Sequence, residues 1–137
     1  MKIAKIKSIL FAFLLFVCYV IYSQDNIESL LDAIKTVESS GGVNIYGLNG
    51  EIGPYQIKRI VIDDVNRICG RDVFDEKDAM DDKKSREICK IYIKYWTDRK
   101  GRSSIEDMAR IWNGGPNGYR KKSTIPYWNK IRGKLCL

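Results

Sequence analysis

From residue 25 onward the apolar side chains recur at helical spacing rather than in alternation. Ile27, Leu30, Leu31, Ile34 and Val37 share one stripe behind Asn26, a residue type suited to capping, and Gly41-Gly42 closes the segment. Between Val43 and Gly53 the glycines at 47, 50 and 53 predict turns or a small hairpin. Ile57, Ile60, Val61, Val65 and Ile68 then predict a second helix ending at Gly70. A third begins at Asp81 or Asp82, turns Ile88, Ile91, Tyr92, Tyr95 and Trp96 inward, and runs to about Asp98. Ser104-Ile105-Glu106-Asp107 has the capping-box pattern and opens a fourth helix through Trp112, which Gly114, Gly115, Pro116 and Gly118 stop. Thr124 with Pro126 starts a last helix to about Gly133. The expected class is mainly α (α+β), with about five helices and a short Gly-rich loop or small β-hairpin.

The first 24 residues differ in kind. Lys2, Lys5 and Lys7 precede a charge-free apolar run from Ile9 to Tyr22, and Ser23 supplies a small residue for cleavage near Gln24. This is the pattern of a signal peptide, and the run falls short of the roughly 18–20 residues a membrane span requires. The expected organisation is therefore a leader over 1–24 and one domain over 25–137, secreted to an extracellular or periplasmic space. An uncleaved membrane anchor is the competing reading. Cys18 follows a bulky Val17, which disfavours lipid attachment.

Charge sharpens the picture once the leader is set aside. The chain has 24 Lys+Arg against 17 Asp+Glu, and subtracting the three leader lysines leaves 21 against 17, net +4. Residues 99–137 hold 10 basic and 2 acidic residues of that total, so the second half suits an anionic partner or simply a solvated basic face. The export signal disfavours nucleic acid as a partner and favours anionic cell-wall polymer. Arg120-Lys121-Lys122 either attracts such a polymer or forms a solvated turn. Cys69, Cys89 and Cys136 follow the leader, an odd number that allows at most one internal disulfide, with spacings unlike a zinc site. No metal or other cofactor is expected, and nothing in the pattern calls for more than a monomer.

There is no histidine, so acid-base chemistry falls to other groups and chiefly to carboxylates. Glu38 stands out. It follows Ile34 by four residues and Leu31 by seven, which places it on the apolar stripe, in the last helical turn where the dipole disfavours negative charge. Desolvation and the dipole both raise a carboxyl pKa and keep a general acid protonated. The alternative is a frayed helix end with Glu38 in water.

Glu38-Ser39-Ser40 followed by Gly53-Pro54-Tyr55-Gln56 resembles the soluble lytic transglycosylases, with 15 residues from Glu38 to Gly53 matching that family's spacing. Ala109-Arg110-Ile111-Trp112-Asn113-Gly114-Gly115-Pro116 is similar to their third motif, and Tyr127 falls at their late aromatic. The segment from Asp107 to Gly118, continuing to Thr124 and Tyr127-Trp128, resembles the invertebrate-type lysozymes, as does Gly53 to Ile57. Either resemblance implies a lysozyme-like fold that cleaves the β-1,4 bond between N-acetylmuramic acid and N-acetylglucosamine in bacterial peptidoglycan. It also implies Glu38 as catalytic acid. Lysozymes of this type add an Asp in the loop after the Glu; this loop is shorter and has none, leaving Glu51 as the nearby candidate for a second carboxylate, or as a solvated loop residue.

The remaining roles carried by the resemblance are substrate-facing. Ser39 orients the acid or caps the helix end. Gln56 and Asn113 offer amides to sugar hydroxyls or acetamido groups, or else tie loop to helix. Tyr55, Trp112 and Tyr127 supply aromatic faces and a hydroxyl to a glycan cleft, whereas Tyr92, Tyr95 and Trp96 are expected in the core. A catalytically inactive wall-binding or inhibitor-like module on the same fold is the competing function.

Overall fold

The computed structural model describes the backbone of residues 2–135 and the side chains of 6–18 and 26–135. Cys136 and the side chains around the expected cleavage position at Ser23 lie outside the described residues, so the pairing of Cys136 and the leader's processing do too.

Helix α1 spans Lys2–Ser39. Asn26 therefore does not cap a helix as expected. No Gly or Pro interrupts residues 2–39, so nothing in the backbone stops a helix begun in the first 24 residues from running on through Ser39. The two parts differ in burial. Phe11, Phe13 and Phe16 are exposed, whereas Ile27, Leu30, Leu31 and Ile34 are buried. Only the second part joins the core. Among the described residues no helix is long and apolar enough to cross a membrane.

After α1 the chain turns through Ser40 to Gly42 and forms two isolated antiparallel bridges, Tyr46 with Ile52 and Ile52 with Ile57. The excursion has the expected size, and the described residues contain no longer strand. Its tightest point is Gly53, at φ 76°, where a Cβ would lie 1.8 Å from the Ala79 carbonyl oxygen. Only glycine fits that contact without moving backbone.

Helix α2 (Arg59–Cys69) ends as expected at Gly70, a left-handed cap at φ 71°. The short α3 (Glu76–Met80) was not expected. Asp75 and Asp78 form a reciprocal capping box around it, which replaces the Ser/Thr and Glu/Gln of the usual pattern with two aspartates. Asp81 caps α4 (Asp82–Arg99) by accepting from the backbone N–H groups of Lys83 and Lys84 at 3.0 and 2.9 Å. Ser104 caps α5 (Ile105–Gly114) by accepting from Asp107 N–H at 3.0 Å, but the Asp107 carboxylate pairs with Arg102 at 2.9 Å. Two 3-10 turns, Gly118–Arg120 and Lys122–Thr124, lead to α6 (Ile125–Arg132), with Pro126 in its first turn.

One core joins these helices. Leu30, Leu31 and Ile34 of α1 pack with Ile62 and Val65 of α2, Ile88 and Ile93 of α4, Ile111 of α5 and Ile131 of α6, all fully or almost fully buried. Each such side chain contributes about 1.5–3 kcal/mol through removal from water. A polar tie reinforces α1 against α4: Arg86 donates to Glu28 and Asp32, both at 2.6 Å, and to the Tyr55 hydroxyl at 2.9 Å. This packing brings the end of α1 against α5 and α6.

Candidate active site

The end of α1 opens onto a cleft of about 710 Å³, within the usual range for ligand pockets. Its lining includes Glu38, Glu51 and Gln56 on the α1 side, with Trp112, Asn113, Gly115 and Pro116 contributed by α5 and its exit. Lys58, Ile60, Val61, Asp63, Asp64 and Arg67 form the α2 wall, and Tyr92 and Trp96 come from α4.

Glu38 sits where helical spacing placed it, half-buried in the last turn of α1. Burial is the main reason its carboxyl is pushed above the usual value of 4.5, and the Glu51 charge adds to the effect. Hydrogen bonding from Tyr127 and Trp112 pulls the other way, as does the Lys130 charge. The Tyr127 hydroxyl donates to Glu38 Oε1 at 2.8 Å. Tyr127 is itself buried, which holds its phenol well above 10, so the hydroxyl remains a proton donor.

Glu51 has the opposite environment. Its Oε2 accepts from Asn49 N–H at 2.8 Å and its Oε1 lies 3.1 Å from Lys58 Nζ. The backbone bond, then the ammonium group, hold its carboxyl down at about 2. Two carboxyl groups thus line one cleft with their pKa values displaced in opposite directions, the arrangement that separates an acid from an ionised partner. Gly47 makes room for this: a Cβ there would lie 2.5 Å from Glu51 Oε2 and 2.6 Å from Gln56 Oε1.

Gln56 lines the cleft in the left-handed region at φ 50°, sparsely populated for a residue with a Cβ. Its amide N–H donates to the carbonyls of Gly53 at 3.0 Å and Asn44 at 3.3 Å, so its Oε1 is the end left for a ligand. Asn113 is exposed on the cleft rim, and Trp112 packs edge-on against Tyr92 at 5.8 Å. Ser39 and Tyr55 do not line the cleft. Ser39 is buried and donates to the Pro54 carbonyl at 2.7 Å while accepting from Gly42 N–H at 2.8 Å. Tyr55 is buried with its hydroxyl on Arg86, and burial raises its phenol to about 12. Both brace the loop that carries Gln56. Tyr127 also stands behind the acid rather than among the residues lining the cleft.

The α2 and α4 walls were missed in the sequence. Asp64 accepts from the Trp96 indole N–H at 2.7 Å and from Arg67 Nη2 at 2.5 Å, which locks Trp96 in place. Tyr92 and Trp96 belong to the core stripe and also line the cleft. The available signal was the i,i+4 pair of polar-tipped aromatics facing a helix that carries Asp64 and Arg67. Among the described residues no cluster of His, Cys, Asp and Glu has a metal-binding arrangement. Cys69 is exposed and Cys89 buried, and they are not bonded to each other.

No family model matches the chain. Over 115 residues it is 30% identical to a lysozyme of Ostrea edulis, an alignment covering 80% of this chain and 81% of the relative. The chain belongs to the lysozyme family. A lysozyme of Magallana gigas is 34% identical over 86 residues, covering 61% of this chain and 60% of the relative. The invertebrate-type lysozyme 6 of Caenorhabditis elegans is 50% identical over 36 residues, 26% of each chain. The helical architecture is that of a mainly α, lysozyme-like fold.

Proposed function

We propose that this lysozyme-family protein is a secreted glycosidase that hydrolyses the β-1,4 bond between N-acetylmuramic acid and N-acetylglucosamine in peptidoglycan. The observation that carries the reading is the pair of carboxyl groups in one cleft, Glu38 shifted toward its protonated form and Glu51 held ionised. Glu38 protonates the glycosidic oxygen as the bond breaks. Glu51 supplies the negative charge that balances the oxocarbenium-like sugar, and a water then adds to the anomeric carbon while giving a proton back to the Glu38 carboxylate, the division of labour in two-carboxylate glycosidases.

The other residues serve these two. Tyr127 fixes the rotamer of Glu38 through its 2.8 Å hydrogen bond. Gln56 and Asn113 present amides to the sugar, and Trp112 offers an aromatic edge to the glycan. Ser39 and Tyr55 hold the loop from Gly53 to Gln56 in register with α1 and α4. The acting unit is residues 25–137 as a monomer after removal of the 1–24 leader, with no metal or other cofactor in the chemistry.

A lytic transglycosylase is the second reading, favoured by the Glu38-Ser39-Ser40 and Gly53-to-Gln56 segments. Mass spectrometry of fragments released from purified peptidoglycan separates the two. Hydrolysis leaves reducing muramic ends, and transglycosylation leaves 1,6-anhydro ends about 18 Da lighter, the mass of the water not added. Reducing ends are expected. Predominant anhydro ends would remove Glu51 from the mechanism, and wall binding without any released fragment would support the inactive-module reading instead.

A further inference from the structure

Beside the cleft lies a second, more open depression of about 400 Å³, lined by Asp63, Asn66, Arg67, Gly70, Arg71 and Asp72. It shares Asp63 and Arg67 with the cleft, so the two are continuous across one ridge. The ridge is fixed rather than swinging. Arg67 donates to Asp64 Oδ1 from Nε at 2.9 Å and from Nη2 at 2.5 Å, and its guanidinium lies 5.7 and 5.8 Å from the ring centres of Tyr95 and Trp96. Nε and Nη2 are taken by Asp64, and Tyr95 also hydrogen-bonds the guanidinium, which stays more than half exposed on the ridge. The floor is held as well: Asn66 accepts from Val73 N–H at 3.0 Å and Phe74 N–H at 2.9 Å, and donates to the Phe74 carbonyl at 2.9 Å.

The charges around this depression are not all used internally. Asp63 pairs with Arg59 and Arg67 with Asp64, but Arg71 and Asp72 form no ion pair among the described residues. One free cation and one free anion, next to an immobilised arginine, suit a ligand carrying both carboxylate and ammonium groups. A bare glycan has no ammonium group, and its only carboxylate is the lactyl group on the sugar itself. The substrate of the proposed reaction has both: a short peptide is amide-linked to the lactyl group of each muramic acid and must leave the sugar cleft sideways, with free carboxylates and, before cross-linking, a free amine.

We infer that the depression is a subsite for this stem peptide, in which Arg67 and Arg71 receive its carboxylates and Asp72 its ammonium group. The inference rests on the glycosidase reading above and adds a specificity to it: chains bearing stems are cleaved in preference to chains without them. Arg71 lies outside the sugar cleft, so its loss affects only the peptide.

The test compares kcat/KM of the protein on soluble glycan chains that bear uncross-linked stems and on the same chains stripped of stems by an amidase. Arg71→Gln and Asp72→Asn are measured alongside, with circular dichroism as the check on folding. The wild type is expected to prefer stem-bearing chains, and each variant to lose roughly three- to tenfold on those chains alone, the scale of an exposed charge-assisted contact. Equal cleavage of both chains by the wild type, or equal loss on both chains in the folded variants, overturns the stem subsite and leaves the glycosidase reading intact. Cleavage of neither chain by the wild type removes both.

Discussion

Replacing Tyr127 with Phe deletes one oxygen from the side chain that links α6 to the acid. That oxygen carries the hydrogen that reaches Glu38 Oε1 at 2.8 Å, and its effect is to favour the ionised carboxylate. A hydrogen bond to a charged group is worth about 1.5–3 kcal/mol, and one pKa unit corresponds to about 1.36 kcal/mol. Losing the bond therefore raises the Glu38 pKa further, with water at this half-buried site recovering part of the loss. A general acid works protonated, and activity falls as pH rises through its pKa. Raising the pKa therefore moves the alkaline limb of the pH profile upward. The maximal rate should also fall about tenfold, because the carboxyl is no longer fixed in one rotamer. The assay is kcat/KM against pH from reducing-end release on a soluble glycan, which reports the free enzyme. An alkaline limb that stays in place or moves down, with an undiminished rate, would refute the assignment of Tyr127 as the residue that positions Glu38.

Three further outcomes follow from other parts of the site and fold. Lys58→Met removes the ammonium group from Glu51, whose folded pKa of about 2 then rises toward the ordinary carboxylate range; activity that requires ionised Glu51 is lost at higher pH, so the acid limb of the same profile moves up. Gly53→Ala places a methyl against the Ala79 carbonyl in a backbone region costly for L-residues, and urea unfolding should show a loss of about 2–5 kcal/mol. Arg86→Met leaves Glu28, Asp32 and the Tyr55 hydroxyl without their shared donor and should cost about 2–3 kcal/mol at neutral pH. Bonds from Lys90 and then Arg86 depress the Glu28 pKa below 4.5, so the stability it lends is present above that pH and is lost as pH falls through the folded value; denaturation of wild type and variant should converge in acid.

Four helices after α1 were legible because each carries a local signal: Gly70 closes α2, Asp81 opens α4, Ser104 opens α5 and Pro126 enters α6. The start of α1 was not, since a good capping residue such as Asn26 ends nothing when the preceding residues also favour helix. Short α3 escaped because its box is built from Asp75 and Asp78 on either side of a single turn. Periodicity placed Glu38 on the core stripe and predicted the direction of its pKa shift. It gave no means of telling which residues stand behind the acid and which face the ligand. Ser39, Tyr55 and Tyr127 were expected to face the ligand, but their hydrogen bonds run to Pro54, Arg86 and Glu38. Conversely, Tyr92 and Trp96 have core spacing, and only the packing of α2 against α4 makes them part of the cleft lining. Glu51 depended on the fold most of all, since its ionisation is set by Asn49 and Lys58 across a turn that Gly47 permits.

The account stands or falls on Glu38 as the acid that cleaves the glycan. The direct measurement is the rate at which Glu38→Gln releases soluble fragments from purified peptidoglycan, read beside its circular dichroism and thermal unfolding. Gln keeps the shape and accepts the Tyr127 hydrogen bond, but it has no proton to give the leaving oxygen. A folded variant whose release falls at least about 10²-fold, the typical share of general acid catalysis, is the predicted result. A folded Glu38→Gln that releases fragments at the wild-type rate would contradict it.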